Sequence, residues 1–516
     1  MTRLTTRRDF GKKLAAVPAT LTLARQGAGE KPGAERPNIV FICSDQHSFR
    51  YTGFAGHPVV KTPNLDRIAR QGVVFSNAYT GHPVCAPGRT CMMTGMFASD
   101  CGSFCNSTLW DGSHPTWSSR LKRQGYYCEA IGKLDLSAAS DLGFDRFDPE
   151  NDHQRSPDIT SLFRRPMVYR ANERGTINGA RREEPHEDAD RTARAVRFLK
   201  EQAPRLDRPW LLYLGYTEPH PKFVGLARYY DTYEAGDIPM PEVPAAYLED
   251  LHLVYQELRH FKHIATPIPA DRMRRARVGY FAMISELDEY VGQVWDALEG
   301  SGQFGKTVFV YTSDHGESLG ENGLWLKNNL YEGAVHVPLV VAGPGFPAGR
   351  RVEHPVGHVD LVSTLCEAAK TPAAGIRGHS LLPMFSGSGG RHPDYVFSEC
   401  HSEGNCTGSF MIRQGDWKYL HFSWYDDLLF NLREDPKEMH DLSGKPGVAA
   451  IERELKSILY SLIDPEDVTL RAFAKQERML QEMANRLNEE ELFLALKSRL
   501  GSGQARLLAA KYKRAT

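Results

Sequence analysis

Short uninterrupted apolar runs alternate along the chain with segments whose apolar positions recur at helical spacing. Residues 38–43, 209–215 and 307–312 are runs of the first kind, as expected of strands buried on both faces of a sheet. Residues 187–202 read as a helix, and within 273–298 the apolar positions fall every three or four residues. Strands that alternate with helices in this way predict an open α/β sheet flanked by helices.

The pattern changes after residue 390. Short strand-like segments with turns between them, then one helical segment, occupy 395–398, 409–413, 417–422, 427–431 and 448–462. They predict a smaller antiparallel sheet with a covering helix. Beyond residue 470 an apolar stripe lies among many charges, at Phe473, Leu480, Met483, Leu487 and Leu494. This stripe fits either an arm that packs on the same chain or an oligomer contact, and both remain open.

These changes divide the chain into four predicted parts. Residues 1–30 carry Arg7-Arg8 followed by a mildly apolar run, which is typical of a twin-arginine signal peptide and linker. Residues 36–388 form the predicted catalytic domain, 392–470 an α+β subdomain and 471–516 a helical tail. The signal predicts export of the folded protein through the twin-arginine translocon to the periplasm or the extracellular space. The alternative is an exposed basic leader without function.

Composition excludes some classes of function. The chain of 516 residues holds 63 Lys+Arg against 64 Asp+Glu, and a net charge of −1 provides no global field that would attract nucleic acid. We therefore expect no nucleic-acid partner. The nine cysteines include no CxxC pair, which argues against a zinc ribbon. For an exported protein Cys101/Cys105 and Cys400/Cys406 are candidate disulfides, and reduced buried thiols are the equal alternative.

Polar residues follow two of the predicted buried strands. Asp45-Gln46 comes directly after the first strand, and Asp314-His315 follows a late one. Sites gather at the carboxyl edge of an open α/β sheet. Carboxylates brought together there are suited to a hard divalent cation. Each pair alone is unremarkable, because an Asp at a strand end is common in loops.

The sequence Cys85-Ala86-Pro87-Gly88-Arg89 has the pattern C-x-P-x-R. Pro87 lacks an N–H and fixes φ, so it shapes the turn that carries the sulfur atom. If the turn leads into a helix, Arg89 comes beside the Cys85 side chain and can hold an anion there.

This pentapeptide resembles the signature of the type I, formylglycine-dependent sulfatases, which belong to the alkaline-phosphatase-like superfamily. The resemblance spans residue 36 to about 465 and implies a large mixed sheet flanked by helices, with a smaller C-terminal sheet. It also implies that a formylglycine-generating (sulfatase-maturating) enzyme oxidises Cys85 to formylglycine, whose hydrate is the nucleophile. The segment 57–64, the Asp-Gln start and Cys-Ala-Pro look most like the choline-sulfatase-like branch.

The same resemblance implies a ligand set for Ca²⁺: Asp45, Gln46, Cys85 as formylglycine, Asp314 and His315. Gln46 stands where Asp is usual, and His315 where Asn is frequent. Fewer negative charges imply weaker Ca²⁺ binding, and a nitrogen ligand keeps Mg²⁺ and Mn²⁺ as alternatives.

Further motifs of the family fall on four residues. Lys133 and Lys327 would contact the sulfate, and His220 in Pro-His-Pro would protonate the leaving oxygen. Asp135 departs from the family, which usually has a His there that acts on the aldehyde hydrate. An Asp can serve as a base, but it adds negative charge beside an anionic ester.

The predicted function is hydrolysis of a sulfuric ester, with sulfate released from an O- or N-sulfated sugar or a small alcohol. Cys85, Arg89, Lys133, Asp135, His220 and Lys327 are the predicted catalytic residues. Two alternatives remain on the same fold. One is a phosphodiester or phosphonate monoester hydrolase, and the other is a non-catalytic glycan-binding relative in which Cys85 stays a thiol.

Overall fold

The computed structural model describes residues 36–136, 141–148, 159–162, 164, 173–386, 392–497 and 500–514. The strands in these ranges are β1 Asn38–Ser44, β2 Gly72–Phe75, β3 Ala78–Tyr79, β4 Tyr127–Gly132, β5 Arg146–Asp148, β6 Gly179–Arg182, β7 Trp210–Gly215, β8 Phe223–Leu226, β9 Thr307–Ser313, β10 Leu339–Ala342, β11 Arg350–Val352, β12 Val356–Gly357, β13 Tyr395–Cys400, β14 Ser409–Gln414, β15 Trp417–Phe422 and β16 Leu428–Asn431. The predicted signal peptide, including Arg7 and Arg8, lies outside the described residues.

The α-helices are α1 Pro63–Gln71, α2 Cys85–Thr94, α3 Trp117–Arg123, α4 Glu173–Thr176, α5 Asp188–Arg197, α6 Ala227–Glu234, α7 Ala245–Glu249, α8 Leu253–Phe261, α9 Ala270–Gly300, α10 Glu332–Val335, α11 His358–Ala368, α12 Pro383–Ser386, α13 Ala449–Leu462, α14 Pro465–Arg486, α15 Glu489–Lys497 and α16 Ser502–Arg514. A π-helical turn occupies Phe198–Gln202, and short 3₁₀ segments occupy Phe49–Tyr51, Gly53–Ala55, Ile159–Leu162, Ala203–Arg205, Phe304–Lys306, Glu321–Gly323 and Pro446–Val448.

The main sheet has eight strands in the order β11-β2-β10-β9-β1-β7-β4-β5. The central strand β1 pairs in parallel with β7 and β9, and β4 pairs in parallel with β7. Strand β10 runs antiparallel to both of its neighbours, which makes the sheet mixed. The predicted α/β fold with a large mixed sheet is confirmed. Because β9, β1, β7 and β4 are parallel, the loops that follow them all leave the sheet at one edge.

Strand β1 contributes to a hydrophobic core on each face of the sheet. Phe41 packs on one face with Trp117 of α3 and Tyr213 of β7. Val40 faces the other side, where Trp295 of the long helix α9 is buried. Successive side chains of a strand point to opposite faces, so an unbroken apolar run fills both cores. This explains why the run 38–43 shows no alternation.

A second, four-stranded antiparallel sheet follows in the order β13-β14-β15-β16. Helix α13 covers one face through Leu455 and Leu459. On the other face Met411 and Leu420 join a core that includes Tyr255 of α8. The predicted smaller C-terminal sheet with a covering helix is therefore confirmed. The division of the chain at residues 388, 392 and 470 stays a prediction.

The C-terminal helices α14, α15 and α16 share a small core of their own, which includes Leu480. Met483 and Leu487 of the predicted apolar stripe lie half-buried against this core, whereas Leu494 is 55% exposed. Part of the stripe thus packs on the same chain. An oligomer contact through the tail stays a prediction.

All nine cysteines lie in the described ranges, and none of them forms a disulfide there. Of the two interpretations of Cys101/Cys105 and Cys400/Cys406, the structure therefore has reduced thiols rather than disulfides. Among the helices described above, none combines the length and the apolarity needed to cross a membrane.

Two elements differ from the pattern along the chain. The apolar pattern does not predict strand β4, because Glu129 interrupts its apolar run. Glu129 lies next to the edge strand β5, and its carboxylate accepts a hydrogen bond from Tyr127 Oη at 2.9 Å. The helix predicted over 187–202 is α-helical only to Arg197 and continues as the π-helical turn. Pro204, which has no N–H to donate, stands just beyond this turn.

Candidate active site

The two predicted pairs of polar residues, Asp45-Gln46 and Asp314-His315, lie side by side at the carboxyl edge of the main sheet. Ser44 of β1 is the register partner of Ser313 of β9, so Asp45 and Asp314 leave the sheet next to each other. The Asp314 N–H donates to the Ser44 carbonyl at 3.1 Å, and the Gln46 N–H donates to Asp314 Oδ1 at 3.1 Å. All of these residues are fully buried. The strand register therefore creates the acidic centre.

The C-x-P-x-R segment forms the first turn of the buried helix α2, which begins at Cys85. Pro87 is tolerated there because N–H groups in a first turn have no partner within the helix. A Cβ at Gly88 would come within 2.7 Å of the His82 carbonyl oxygen and 3.0 Å of the Asp314 carbonyl oxygen. Glycine thus lets the helix start pack directly against the loop after β9, and this contact brings Cys85 to the acidic pairs.

Cys85, Asp45, Asp314 and His315 form a buried cluster, in which one potential ligand atom of each lies within 4.8 Å of all the others. The Cys85 Sγ is 3.4 Å from His315 Nε2 and 3.8 Å from Asp45 Oδ1. His315 Nε2 is 3.5 Å from Asp45 Oδ1. Four of the five predicted metal ligands therefore converge on one point.

The donor set of this cluster fits a hard divalent cation. His315 Nδ1 is 3.0 Å from the Gly316 carbonyl oxygen, a contact that assigns the proton to Nδ1 and leaves the Nε2 lone pair toward the cluster. Gln46 Oε1 is buried, and it has no hydrogen-bond partner among the described residues. Together with the carboxylates of Asp45 and Asp314, these atoms supply the oxygen and imidazole ligands that divalent cations accept.

Two buried lysines flank the cysteine. Lys327 Nζ lies 2.9 Å from Cys85 Sγ. Lys133, which follows β4, forms an ion pair with Asp45, and its Nζ is 3.2 Å from Asp135 Oδ2. A buried ammonium group is costly unless it is paired. The two lysines thus provide positive charge around the position where an anionic group would meet Cys85.

Arg89 is oriented by protein groups rather than left free for an anion. Its Nε donates to Asp314 Oδ2 at 2.8 Å, and its Nη1 donates to the Lys133 carbonyl at 2.6 Å and to Tyr213 Oη at 3.0 Å. Its Nη2 is 4.0 Å from Asp45 Oδ2 and has no hydrogen-bond partner among the described residues. These contacts make Arg89 an anchor for Asp314. Its predicted contact with substrate stays a prediction.

The pKa values of the two carboxylates are shifted in opposite directions. Burial and the Cys85 sulfur oppose ionisation of Asp45, but the neighbouring cations, Lys133 and Lys327 among them, outweigh both and lower its pKa. Burial and the charge of Asp45 raise the pKa of Asp314. Burial disfavours charge on the lysines as well, yet the surrounding anions hold the pKa of each above its usual value. The site therefore keeps fixed opposite charges in a dry environment, where they act strongly on a charged ligand.

His220 and Asp135 occupy different parts of the site. His220 is half-buried, and its Nδ1 is 2.8 Å from the Pro221 carbonyl oxygen. His220 is among the groups that lower the pKa of Asp45, so it lies within electrostatic range of the cluster. Asp135 is buried, has left-handed backbone (φ 53°), and faces Lys133 and Arg89. Asp135 thus pairs with cations of the site itself.

Sequence reasoning missed the residues that support the catalytic loops. Asp188 at the start of α5 accepts hydrogen bonds from the backbone N–H groups of Thr217 and Glu218, in the loop that leads to His220. Lys262 Nζ donates to the backbone carbonyls of Trp325, at 2.9 Å, and of Lys327. Neither residue lies in a motif, and only long-range contacts reveal their roles.

The mixed α/β sheet and its buried cluster of carboxylates, histidine and cysteine fit a hydrolase of anionic esters. Residues 37–371 match the family model Sulfatase, and residues 320–464 match the model of the N-sulphoglucosamine sulphohydrolase C-terminal region. The chain belongs to the sulfatase family. It is a sulfatase that hydrolyses sulfate esters.

The relatives agree with this assignment. The chain is 30% identical to arylsulfatase K of Danio rerio over 501 residues, which cover 92% of this chain and 90% of the relative. It is 31% identical to a choline-sulfatase of Rhizobium meliloti over 428 residues, which cover 80% and 83%. The predicted resemblance to sulfatases with choline-sulfatase-like relatives is confirmed.

Solved structures share the fold. A phosphonate monoester hydrolase of Agrobacterium radiobacter superimposes with a TM-score of 0.69 at 24% identity and covers 83% of this chain and 95% of that chain. A protein solved in complex with its substrate D-glucosamine-2-N,6-O-disulfate superimposes with a TM-score of 0.67 at 21% identity and covers 85% and 99%. At these identities the likeness establishes the fold.

Proposed function

We propose that this sulfatase releases sulfate from a monoester of a sugar or small alcohol, using formylglycine made from Cys85 and a divalent cation, with Ca²⁺ as the first candidate. One observation carries the proposal. The Cys85 sulfur atom lies 2.9 Å from Lys327 Nζ, 3.4 Å from His315 Nε2 and 3.8 Å from Asp45 Oδ1. A cysteine that served only packing would not need charged groups of both signs around its sulfur atom.

The cofactors would act at the centre of this arrangement. Formylglycine at position 85 would supply a hydrated aldehyde as nucleophile, and a cation held by Asp45, Gln46, Asp314 and His315 would offset the repulsion between two anions. The residues of the chain contribute the rest. Lys133 and Lys327 bind the sulfate oxygens from two sides, where buried ammonium groups stabilise developing charge more strongly than in water.

Protonation of the leaving oxygen is assigned to His220. The Pro221 carbonyl next to Nδ1 holds the proton on that nitrogen and turns Nε2 away from it. His220 is half-buried, so an alcohol can approach it from solvent. A protonated imidazole there can deliver a proton as the S–O bond breaks. Arg89 keeps Asp314 in place during these steps through its 2.8 Å contact.

The relatives and the charges of the site support a proposed substrate class. The names of the two relatives point to choline sulfate and to aryl sulfates, and one fold neighbour was solved with a glucosamine disulfate. Asp135 faces Lys133 and Arg89, so it does not by itself require a cationic substrate. We propose a hydroxyl-bearing sulfate ester, with a sulfated sugar as the first candidate.

The location is proposed from the sequence. Arg7-Arg8 and the apolar run that follows support export through the twin-arginine route. The maturation enzyme would then have to modify Cys85 in the cytoplasm, before the folded protein is exported. Replacement of both arginines by lysine should leave unprocessed precursor in the cytoplasm, and unchanged secretion would contradict the export proposal.

Mass spectrometry and kinetics together test the enzyme proposal. The protein is produced with a formylglycine-generating enzyme, and the peptide that contains Cys85 is examined for the mass loss of the aldehyde. Hydrolysis of aryl sulfate, aryl phosphate and aryl phosphonate esters is then compared. We expect activity on the sulfate in proportion to aldehyde content and none in Cys85→Ser. Full activity with an unmodified thiol would overturn the mechanism, and preference for the phosphonate would favour the alternative hydrolase.

A further inference from the structure

Glu317 is a fully buried carboxylate that reaches the cation cluster through Gln46. Its Oε2 accepts a hydrogen bond from Gln46 Nε2. Its Oε1 accepts from the backbone N–H groups of Leu319 at 2.7 Å and Leu326 at 2.6 Å. All three partners donate to a group that can only accept when it is ionised. The orientation of the Glu317 carboxylate is therefore fixed by its own loop.

This contact determines which end of the Gln46 side chain faces the cluster. An amide oxygen can ligate a cation, whereas the NH₂ group is a donor only. Because Nε2 is bound to Glu317, Oε1 is the end that remains, and it is buried without a hydrogen-bond partner among the described residues. A buried oxygen without a partner is unfavourable, because it has lost its hydrogen bonds to water. A bound cation would remove this cost.

We propose that Glu317 is a positioning residue that fixes the Gln46 amide with its oxygen toward the cation and so makes Gln46 a ligand. The inference rests on the proposed cation site and assigns a role to a residue outside the predicted ligand set. The Gln46 backbone adds to this constraint, because its left-handed conformation (φ 72°) and the hydrogen bond from its N–H to Asp314 Oδ1 hold the start of the side chain in place.

The same carboxylate connects the cation site to the sulfate-binding loop. Leu326 has left-handed backbone (φ 64°), and its N–H is bound to Glu317. The next residue is Lys327, whose Nζ lies 2.9 Å from Cys85 Sγ. A displaced Glu317 would therefore move both the ligand Gln46 and the start of the Lys327 segment. The hydrogen bond between Gln46 and Glu317 also places the carboxylate of Glu317 behind Gln46, whose neutral amide would contact the cation.

Glu317→Gln tests the proposal by reversing one hydrogen bond. The oxygen of the new amide must still accept from the N–H groups of Leu319 and Leu326, so its NH₂ group would face Gln46. Gln46 would then have to accept with its oxygen and present its NH₂ to the cluster. Changes behind a metal ligand cost about 10–100-fold in metal affinity, and we expect a loss in that range. The readout is isothermal titration of the chelator-stripped full-length protein with CaCl₂.

The double variant Gln46→Glu/Glu317→Gln should restore binding. It has the same net charge as the wild type, and the new amide at position 317 can donate to one oxygen of the new carboxylate at position 46 while the other oxygen faces the cation. We expect a Kd equal to or lower than that of the wild type, because the carboxylate at position 46 keeps an oxygen toward the cation and adds a negative ligand charge. Glu321→Gln is the matched control. Glu321 lies on the same loop, 3.4 Å from Arg277 and away from the cluster, and the change should leave the Kd unaltered.

The possible outcomes distinguish a failure of the positioning role from a failure of the proposed cation site. If the wild type shows no saturable Ca²⁺ binding, the proposed cofactor is wrong. If the wild type binds and Glu317→Gln binds equally well, or if the folded double variant does not bind, the positioning role is wrong. Thermal unfolding in chelator reports whether each variant is folded. Should the variants not fold, a crystal structure of the Ca²⁺-bound wild type decides. Gln46 Oε1 at about 2.3–2.6 Å from the ion supports the role, and an ion without this contact overturns it.

Discussion

Lys327 Nζ lies 2.9 Å from Cys85 Sγ although the two residues are 242 positions apart in the chain. The loop after β9 brings Lys327 to the helix start at Cys85, and both side chains are buried. Burial of a charged lysine beside the predicted nucleophile is costly, and an anionic substrate bound there would offset that cost. Substitution of Lys327 is therefore the most direct test of sulfate binding.

Lys327→Ala should reduce kcat/KM for a sulfate ester by about 100-fold or more, because removal of one preorganised group that stabilises transition-state charge costs about 2.7–4 kcal/mol. Steady-state kinetics of the matured protein measure this. Lys306→Ala, at an exposed position just before β9, is the control and should leave kcat/KM unchanged. A loss of less than about threefold in Lys327→Ala would contradict a contact between Lys327 and the sulfate.

His220→Ala should show a loss that depends on the leaving group. An alkoxide is a poor leaving group and needs a proton, so an alkyl or sugar sulfate should lose about 10²–10⁴-fold in kcat. A nitrophenyl sulfate releases a stable anion and should lose much less. Comparison of the two substrates in wild type and variant measures the difference. Equal losses on both substrates would assign His220 a structural role instead of proton donation.

Much of the site could be predicted because the chemistry follows strand ends and a local motif. Asp45 and Asp314 each follow a run of apolar residues, and parallel strands place such residues at one edge. Cys85 and Arg89 lie in one helical turn, so their proximity is a property of the local sequence. The family motifs then directed attention to lysines that composition alone would treat as surface charges.

The supporting residues could not be predicted, because their partners are remote in the sequence. Glu317 reaches Gln46 across 271 positions, and Asp188 reaches Thr217 across 29. Asp188 has no distinctive neighbourhood, since an acidic residue at a helix start is ordinary. Glu317 lies beside the pair Asp314-His315, but nothing local to it indicates Gln46 as its partner. Arg89 shows the same limit. The motif placed it near the cysteine, but its pairing with Asp314 depends on the packing of α2 against the loop after β9.

Asp135→Asn should lower KM for an anionic ester by several-fold. Asp135 contributes a negative charge 3.2 Å from Lys133 Nζ, and it reduces the attraction that Lys133 exerts on sulfate. Removal of a repulsion of about 1 kcal/mol corresponds to roughly fivefold in binding. Asn also tolerates the left-handed backbone at this position, so the loop should keep its shape. An unchanged or raised KM would show that Asp135 acts in another way, for example as the base that the family's His provides.

Asp188→Asn should reproduce part of the His220→Ala defect from outside the substrate site. The Asp188 carboxylate accepts from the Thr217 N–H at 3.0 Å and from the Glu218 N–H at 2.8 Å, and the His220 N–H donates to the Thr217 carbonyl at 2.9 Å. Arg191 also donates to Asp188. An amide at position 188 would place an NH₂ group against one of these donors, and the loop would have to shift.

A shift of that loop moves His220 relative to the leaving oxygen. We expect kcat to fall by about 10–100-fold on alkyl sulfates, since misplacement by about 1 Å can cost that much, and by clearly less on nitrophenyl sulfate. The KM should change little, because Lys133 and Lys327 are held by other elements. Asp190→Asn is the matched control on the same helix, where the side chain is 76% exposed. If Asp188→Asn slows both substrates equally while it lowers the melting temperature, Asp188 stabilises the fold without positioning His220.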